Sequence, residues 1–153
     1  MTRADQSVDS CSDDAVLVEI LTRILRRHDN CVDIGANVGQ ILRHLVRLAP
    51  GGRHRAFEAL PHLADRIRSD FPFVEVHAVA LSDEATEAPF HHVINDPGYS
   101  GLRQRRYDRP DPEIEILPVP ARRLDDLLPM EEKIRFMKID VEGAELQVLK
   151  GET

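Results

Sequence analysis

Apolar residues recur at helical spacing early in the chain. Val16, Leu17, Ile20, Leu21, Ile24 and Leu25 fall three and four apart and predict a helix over 13–28. Ser12 or Asp13 can cap its start, and Arg26, Arg27 and His28 suit its negative end. The period then changes. Residues 31–34 form a short apolar strand that runs into the turn Gly35-Ala36-Asn37-Val38-Gly39. Ile41, Leu42, Leu45, Val46 and Leu48 predict a second helix, stopped by Pro50-Gly51-Gly52. Residues 55–59 read as a second strand, and Pro61 suits the first turn of a helix reaching Asp70. Residues 74–81 read as a third strand.

The middle of the chain is less regular. Residues 90–94 and 114–119 read as strands on either side of a loop rich in Gly, Arg and Pro. Residues 124–128 predict a short helix ended by Pro129. Residues 134–141 predict a buried strand, turned by Glu142-Gly143 into a helix over 144–150. Strands alternating with helices at this spacing mean an α/β fold, with a mostly parallel sheet and right-handed crossovers. Residues 1–12 are polar and expected to be loose, which leaves 13–153 as one domain.

Composition narrows the class. The 153 residues are 42% hydrophobic and 31% charged, a globular balance with enough chain for one core. A net charge of −7 argues against a nucleic-acid footprint across the surface. Arg103, Arg105, Arg106 and Arg109 are a local exception, read as a solvated loop with capture of an anionic substrate as the alternative. Cys11 and Cys31 make neither a disulfide framework nor a zinc site. No stretch suits a signal peptide or a membrane span, so the expected setting is the cytoplasm.

Ligands of open α/β sheets bind beyond the carboxyl ends of the strands, where strand order reverses. Most candidate residues fall at such ends. In Val32-Asp33-Ile34-Gly35-Ala36-Asn37-Val38-Gly39, Gly35 suits close approach of a ligand to backbone, Asn37 tolerates a left-handed conformation, and Gly39 allows tight helix packing. The segment lacks the three glycines of the dinucleotide fingerprint. Glu58 ends the second strand at the distance expected of a ribose-binding carboxylate. Leu81 could cover an adenine face, and Ser82 or Asp83 could meet its polar edge. Period-two alternation places Lys138, Asp140 and Glu142 on one side, where carboxylates suit substrate binding or base catalysis; as a metal signal the group is weak, and none is expected. Of His91 and His92, at most one can face the site.

These segments together resemble the FkbM family of methyltransferases. The resemblance is carried by the turn at 32–39, Phe57-Glu58-Ala59, Val79-Ala80-Leu81-Ser82-Asp83 and Leu124-Asp125-Asp126-Leu127. It continues through Met137-Lys138-Ile139-Asp140-Val141-Glu142-Gly143-Ala144-Glu145 to Val148-Leu149-Lys150-Gly151. It implies a Rossmann-like class I methyltransferase sheet with helices on both faces and S-adenosylmethionine as methyl donor. It also implies O-methylation of a natural product, glycan or glycolipid. By matching position, Asp33, Gly35 and Asn37 would line the methionine end, Glu58 the ribose, and Leu81 and Ser82 the adenine. Asp140 and Glu142 would face the methyl and acceptor region, with Asp140 as base and His91 or His92 behind it, and the loop over 95–112 is expected to shape the acceptor site.

The family continues into further strands after the helix at 144–150. The resemblance therefore implies the front part of a domain, with the strand at 134–141 left as an edge through which copies would pair. Two rival readings remain at this stage. A nicotinamide-dinucleotide oxidoreductase shares the fold but needs the missing phosphate turn. A non-catalytic binding module would keep the fold without the chemistry.

Overall fold

Residues 6–104 and 111–151 are described by a computed structural model. Four parallel strands make the central sheet, in the order β3-β2-β1-β7: β1 (Asn30–Ile34), β2 (His54–Phe57), β3 (Glu75–His77) and β7 (Ile134–Ile139). A second sheet joins β4 (Ala80–Leu81) to β6 (Ile114–Arg122) and β6 to β5 (Thr86–Val93). The helices are α1 (Gln6–Ile24), α2 (Gln40–Leu48), α3 (Pro61–Asp70) and α4 (Glu145–Lys150).

Both faces of the central sheet are covered, as buried parallel strands require. On one face, Leu21 and Leu25 pack with Ile41 and Leu45 of α2 over Cys31, while Leu42 and Ile67 close over Ala56. On the other, Val32, Ile34 and Phe57 pack under Leu81, Leu124 and Val148. The second face thus carries α4 and the turn at 124–126, and the first carries α1, α2 and α3.

Several expected elements differ. Helix α1 starts at Gln6 and ends at Ile24, so Ser12 and Asp13 lie inside it rather than capping it. The single strand expected over 74–81 is two: β3 pairs with β2, then the chain leaves the sheet and β4 pairs with β6. The break puts Leu81 into the core beside Phe57 and Ala80 into a separate core with Phe90. The middle strands are longer than expected and pair antiparallel from Thr86↔Ala121 to Val93↔Ile114. The short helix expected over 124–128 is a 3-10 turn, Leu124–Asp126.

Strand order reverses at β1. The chain moves outward through β2 and β3, then returns to pair β7 on the other side of β1. The crevice between the carboxyl ends of β1 and β7 is therefore the expected place for a ligand.

The opposite end of the sheet holds a buried ion cluster. Arg55 Nε lies 3.0 Å from Glu75 Oε2, and its Nη1 lies 2.6 Å from Glu132 Oε2. The Arg55 and Glu132 side chains are 3% and 7% exposed. Replacing Arg55 with Ala strands a buried carboxylate and should cost about 3–5 kcal/mol. Glu132→Ala should cost less, because Arg55 keeps Glu75. Denaturant unfolding of the two variants checks the order; equal losses would mean that Glu75 does not hold the arginine.

Candidate functional site

The candidate site is an open cleft beyond the carboxyl ends of β1, β2 and β7. Gly35, Asn37, Glu58, Leu81, Asp140 and Glu142 all line it. Among the sequence candidates, Asp33, Gly39 and Ser82 do not. Asp33 is buried beneath the turn, 1% exposed. Gly39 opens α2 at φ 76, where an added Cβ would come 2.8 Å from the Phe71 ring. Ser82 lines a neighbouring depression with Asp83, Glu84 and Arg103, and its hydroxyl bonds Asp83 Oδ1 at 3.1 Å.

Gly35 is needed for a different reason from the one its spacing suggested. Its φ is 74, and a Cβ there would sit 1.9 Å from the Asp140 carbonyl oxygen. The close neighbour is the end of β7, which arrives because Asp140 N–H bonds the Ile34 carbonyl at 3.0 Å. Asn37 has φ 49, within the left-handed region its residue type tolerates.

Glu58 follows the last residue of β2 and ties two loops together. Its Oε2 accepts the Asn37 N–H at 2.8 Å and its Oε1 accepts the Leu60 N–H at 2.9 Å. Each oxygen retains a further lone pair. Burial pushes the carboxyl above the usual carboxylate range, and the two N–H bonds pull it partly back. Burial likewise raises Asp33, opposed chiefly by the ammonium of Lys138.

Strand alternation stops at Ile139. Glu142 and Gly143 have φ 54 and 97, so the Asp140–Gly143 segment is a turn rather than a strand edge. That turn lets Asp140, Val141 and Glu142 all line the cleft, against the period-two expectation. Glu145 stabilises it: its Oε1 accepts the N–H of Val141 at 3.4 Å and of Gly143 at 3.1 Å.

Neither His91 nor His92 lines the cleft. His92 is half-buried beside His62, with ring centroids 5.7 Å apart, and His91 pairs through its backbone with Gly101. Both fall away as base candidates. Of the arginine group, Arg103 borders the neighbouring depression; Arg105, Arg106 and Arg109 lie outside the described residues.

The roof comes from the loop expected to shape the acceptor site, in which no single residue stands out from sequence alone. Pro97, Gly98, Ser100 and Leu102 line the cleft from the excursion between β5 and β6. The excursion is held by a pair of bonds between Gly101 and His91, at 2.9 and 3.1 Å, and by Ser100 Oγ, which accepts the Val93 N–H at 2.9 Å. Its Pro-Gly-Tyr-Ser-Gly composition signalled a turn, but nothing in it signalled where the turn would fold back. Val79 and Phe90 complete an apolar wall with Leu81. Among the described residues, no three His, Cys, Asp or Glu side chains are grouped to hold a metal, and no helix is long and apolar enough to cross a membrane.

The family model described as the methyltransferase FkbM domain matches residues 33–153. The chain is 30% identical over 152 residues to Methyltransferase sdnD of Sordaria araneosa, covering 78% of this chain and 59% of that protein. It is 27% identical over 141 residues to Methyltransferase 1 of Beauveria bassiana, covering 78% and 57%. The chain thus spans less than two thirds of the length of either relative. Among solved structures it is similar to the 23S rRNA methyltransferase ErmE, at 25% identity over 42% of this chain and 27% of that one, with a TM-score of 0.35. A TehB-like SAM-dependent methyltransferase from Corynebacterium glutamicum is similar at 18% identity over 48% and 42%, also with a TM-score of 0.35.

Proposed function

Because this chain belongs to the FkbM methyltransferase family, we propose that it binds S-adenosylmethionine and passes its methyl group to a hydroxyl of a natural product, glycan or glycolipid. The observation that carries the reading is that four of the six segments carrying the resemblance, at 32–39, 57–59, 79–83 and 137–145, converge on one cleft. Glu58 presents a buried carboxylate there, while Asp140 and Glu142 enter the same space from the opposite side of β1.

The residues present fit such a donor. Glu58 retains lone pairs for a ribose diol, and Val79, Leu81 and Phe90 give an apolar slot for a base. The donor supplies an electrophilic methyl on a sulfonium. The chain's own task is then to align the acceptor and keep water out, and alignment alone can be worth roughly 7–11 kcal/mol. Asp140 is the proposed base that would take the acceptor's hydroxyl proton as the methyl passes from the sulfonium sulfur, which leaves as a neutral thioether, to the acceptor oxygen. Asp33 and Gly39 act in this reading by shaping the turn, not by touching the donor, and Ser82 lies outside the slot.

The test is calorimetry with S-adenosylhomocysteine, which needs no acceptor. Glu58→Ala should weaken binding by about 1.5–3 kcal/mol, the value of a hydrogen bond to a charged group. A folded variant with unchanged affinity would remove the ribose assignment.

The same carboxyl predicts a pH dependence. Ribose hydroxyls donate to the ionised form, and burial raises the pH at which that form is lost. Donor affinity should therefore fall on acidification, beginning above the pH at which an exposed glutamate titrates. The sign for stability is opposite. A carboxyl with a raised folded value contributes stability that is fully present at low pH and lost as pH rises through that value. Calorimetry and melting curves over a shared pH series check both slopes; parallel slopes would contradict the assignment.

A further inference from the structure

Gly98 is the one glycine whose missing side chain neither backbone nor packing explains. The chain's other glycines hold a positive φ or would bring a Cβ within 3.2 Å of a neighbouring atom. Gly98 does neither. Its φ lies outside the left-handed region, and an added Cβ would meet nothing closer than Asn37 Nδ2 at 3.6 Å and Asp96 Oδ1 at 3.8 Å. Those are ordinary contact distances, so the fold itself has room for a side chain here. Gly98 faces the cleft, in the part of the roof that approaches Asn37. A glycine that the fold does not need suits a place where a ligand comes close to backbone. Across the gap, the Asn37 side-chain amide makes no hydrogen bond among the described residues; only its backbone N–H is taken, by Glu58.

Glu58 stands between two regions of the cleft. Its Oε1 holds the N–H of Leu60, which packs with Ala80 and Phe90 beside the apolar slot, and its Oε2 holds the N–H of Asn37. Base and amino-acid limb leave opposite ends of a donor's ribose. With the base in the slot and the ribose on Glu58, the limb therefore runs toward Asn37, beneath Gly98. We propose that Gly98 is a specificity-determining residue: it keeps open the gap between the roof and the glycine turn that admits this limb, so the roof selects ligands by what they carry beyond the sulfur. The proposal rests on the donor reading above. The limb bears a carboxylate and an ammonium, and the free Asn37 amide can donate to the first or accept from the second. The roof cannot simply rise to make room for a side chain. Ser100 is 8% exposed with its Oγ on the Val93 N–H, and Gly101 is held by two backbone bonds to His91.

The test compares two ligands by calorimetry on the full chain. S-adenosylhomocysteine carries the limb. Methylthioadenosine keeps the nucleoside and the sulfur and has a methyl in the limb's place. Gly98→Leu should weaken S-adenosylhomocysteine by about tenfold or more, the cost of overpacking a space the ligand fills. It should leave methylthioadenosine unchanged. Gly98→Ala should act in the same direction to a smaller extent, with the parent's melting temperature, and it carries the comparison should the leucine variant fail to fold. Equal losses for both ligands would mean a displaced roof or a blocked slot and would overturn the proposal. Unchanged S-adenosylhomocysteine affinity in a folded Gly98→Leu would overturn it too, because the limb would then lie elsewhere. Failure of the donor reading itself looks different: the parent would bind neither ligand.

Discussion

Gly35→Ala should be among the most damaging single-methyl changes in this chain. Two costs coincide at the position. The left-handed backbone strains any residue with a Cβ, at about 1–3 kcal/mol. The added carbon would also lie 1.9 Å from the Asp140 carbonyl oxygen and 2.9 Å from its carbon. Those are backbone atoms of a neighbouring strand end, so relief requires β7 to move away from β1. Overpacking of this kind costs about 1–3 kcal/mol or more. For a chain of this size each kcal/mol is worth about 2–4 °C, so the melting temperature should fall by roughly 10 °C or the fold should fail. Gly98→Ala is the control, because its Cβ would meet only Asn37 Nδ2 at 3.6 Å and Asp96 Oδ1 at 3.8 Å. Melting curves of the two variants decide; a Gly35→Ala protein as stable as Gly98→Ala would mean that the β1–β7 junction is looser than described.

Asp140→Asn should produce the largest functional effect. The substitution keeps the shape of the side chain and removes its capacity to accept a proton. General-base catalysis is typically worth about 10²–10⁴-fold, so turnover should fall by that order. Donor affinity should change much less, because Glu58 and the apolar slot are untouched. That split separates loss of chemistry from loss of binding. The Asp140 side chain is half-exposed, so the substitution leaves the core intact. The comparison is made on a protein with demonstrated methyl transfer, and parent-like turnover would leave Asp140 as part of the turn alone.

Much of this architecture was legible in the sequence, because its signals are local. The helical spacing of Ile41, Leu42 and Leu45, the apolar run through Val32 and Ile34, and Pro61 at a helix start each specify an element without reference to distant residues. Glu58 was legible as a cleft-lining carboxylate because it directly follows a strand, a fixed distance beyond a tight turn. The family motifs carried the order of segments, and the FkbM domain match over 33–153 agrees with it.

What only the tertiary structure decided depends on contacts between residues far apart in the chain. A strand signal at 74–81 cannot say that its two halves pair in different sheets; β2 and β6 decide that by offering separate edges to Glu75–His77 and Ala80–Leu81. Alternation predicted Asp140 and Glu142 on one face, but the positive φ of Glu142 ends alternation and brings Val141 into the cleft as well. Gly35 could be read from sequence as a position without room for a Cβ. That the occupant is the Asp140 backbone, 105 residues away in the chain, follows only from the β1–β7 register. The same register turns Asp33 and Lys138, read separately from sequence, into partners beside Asp140. Local propensity fixes which residues form elements, whereas packing fixes which strand ends meet, and the chemistry of this site lies where they meet.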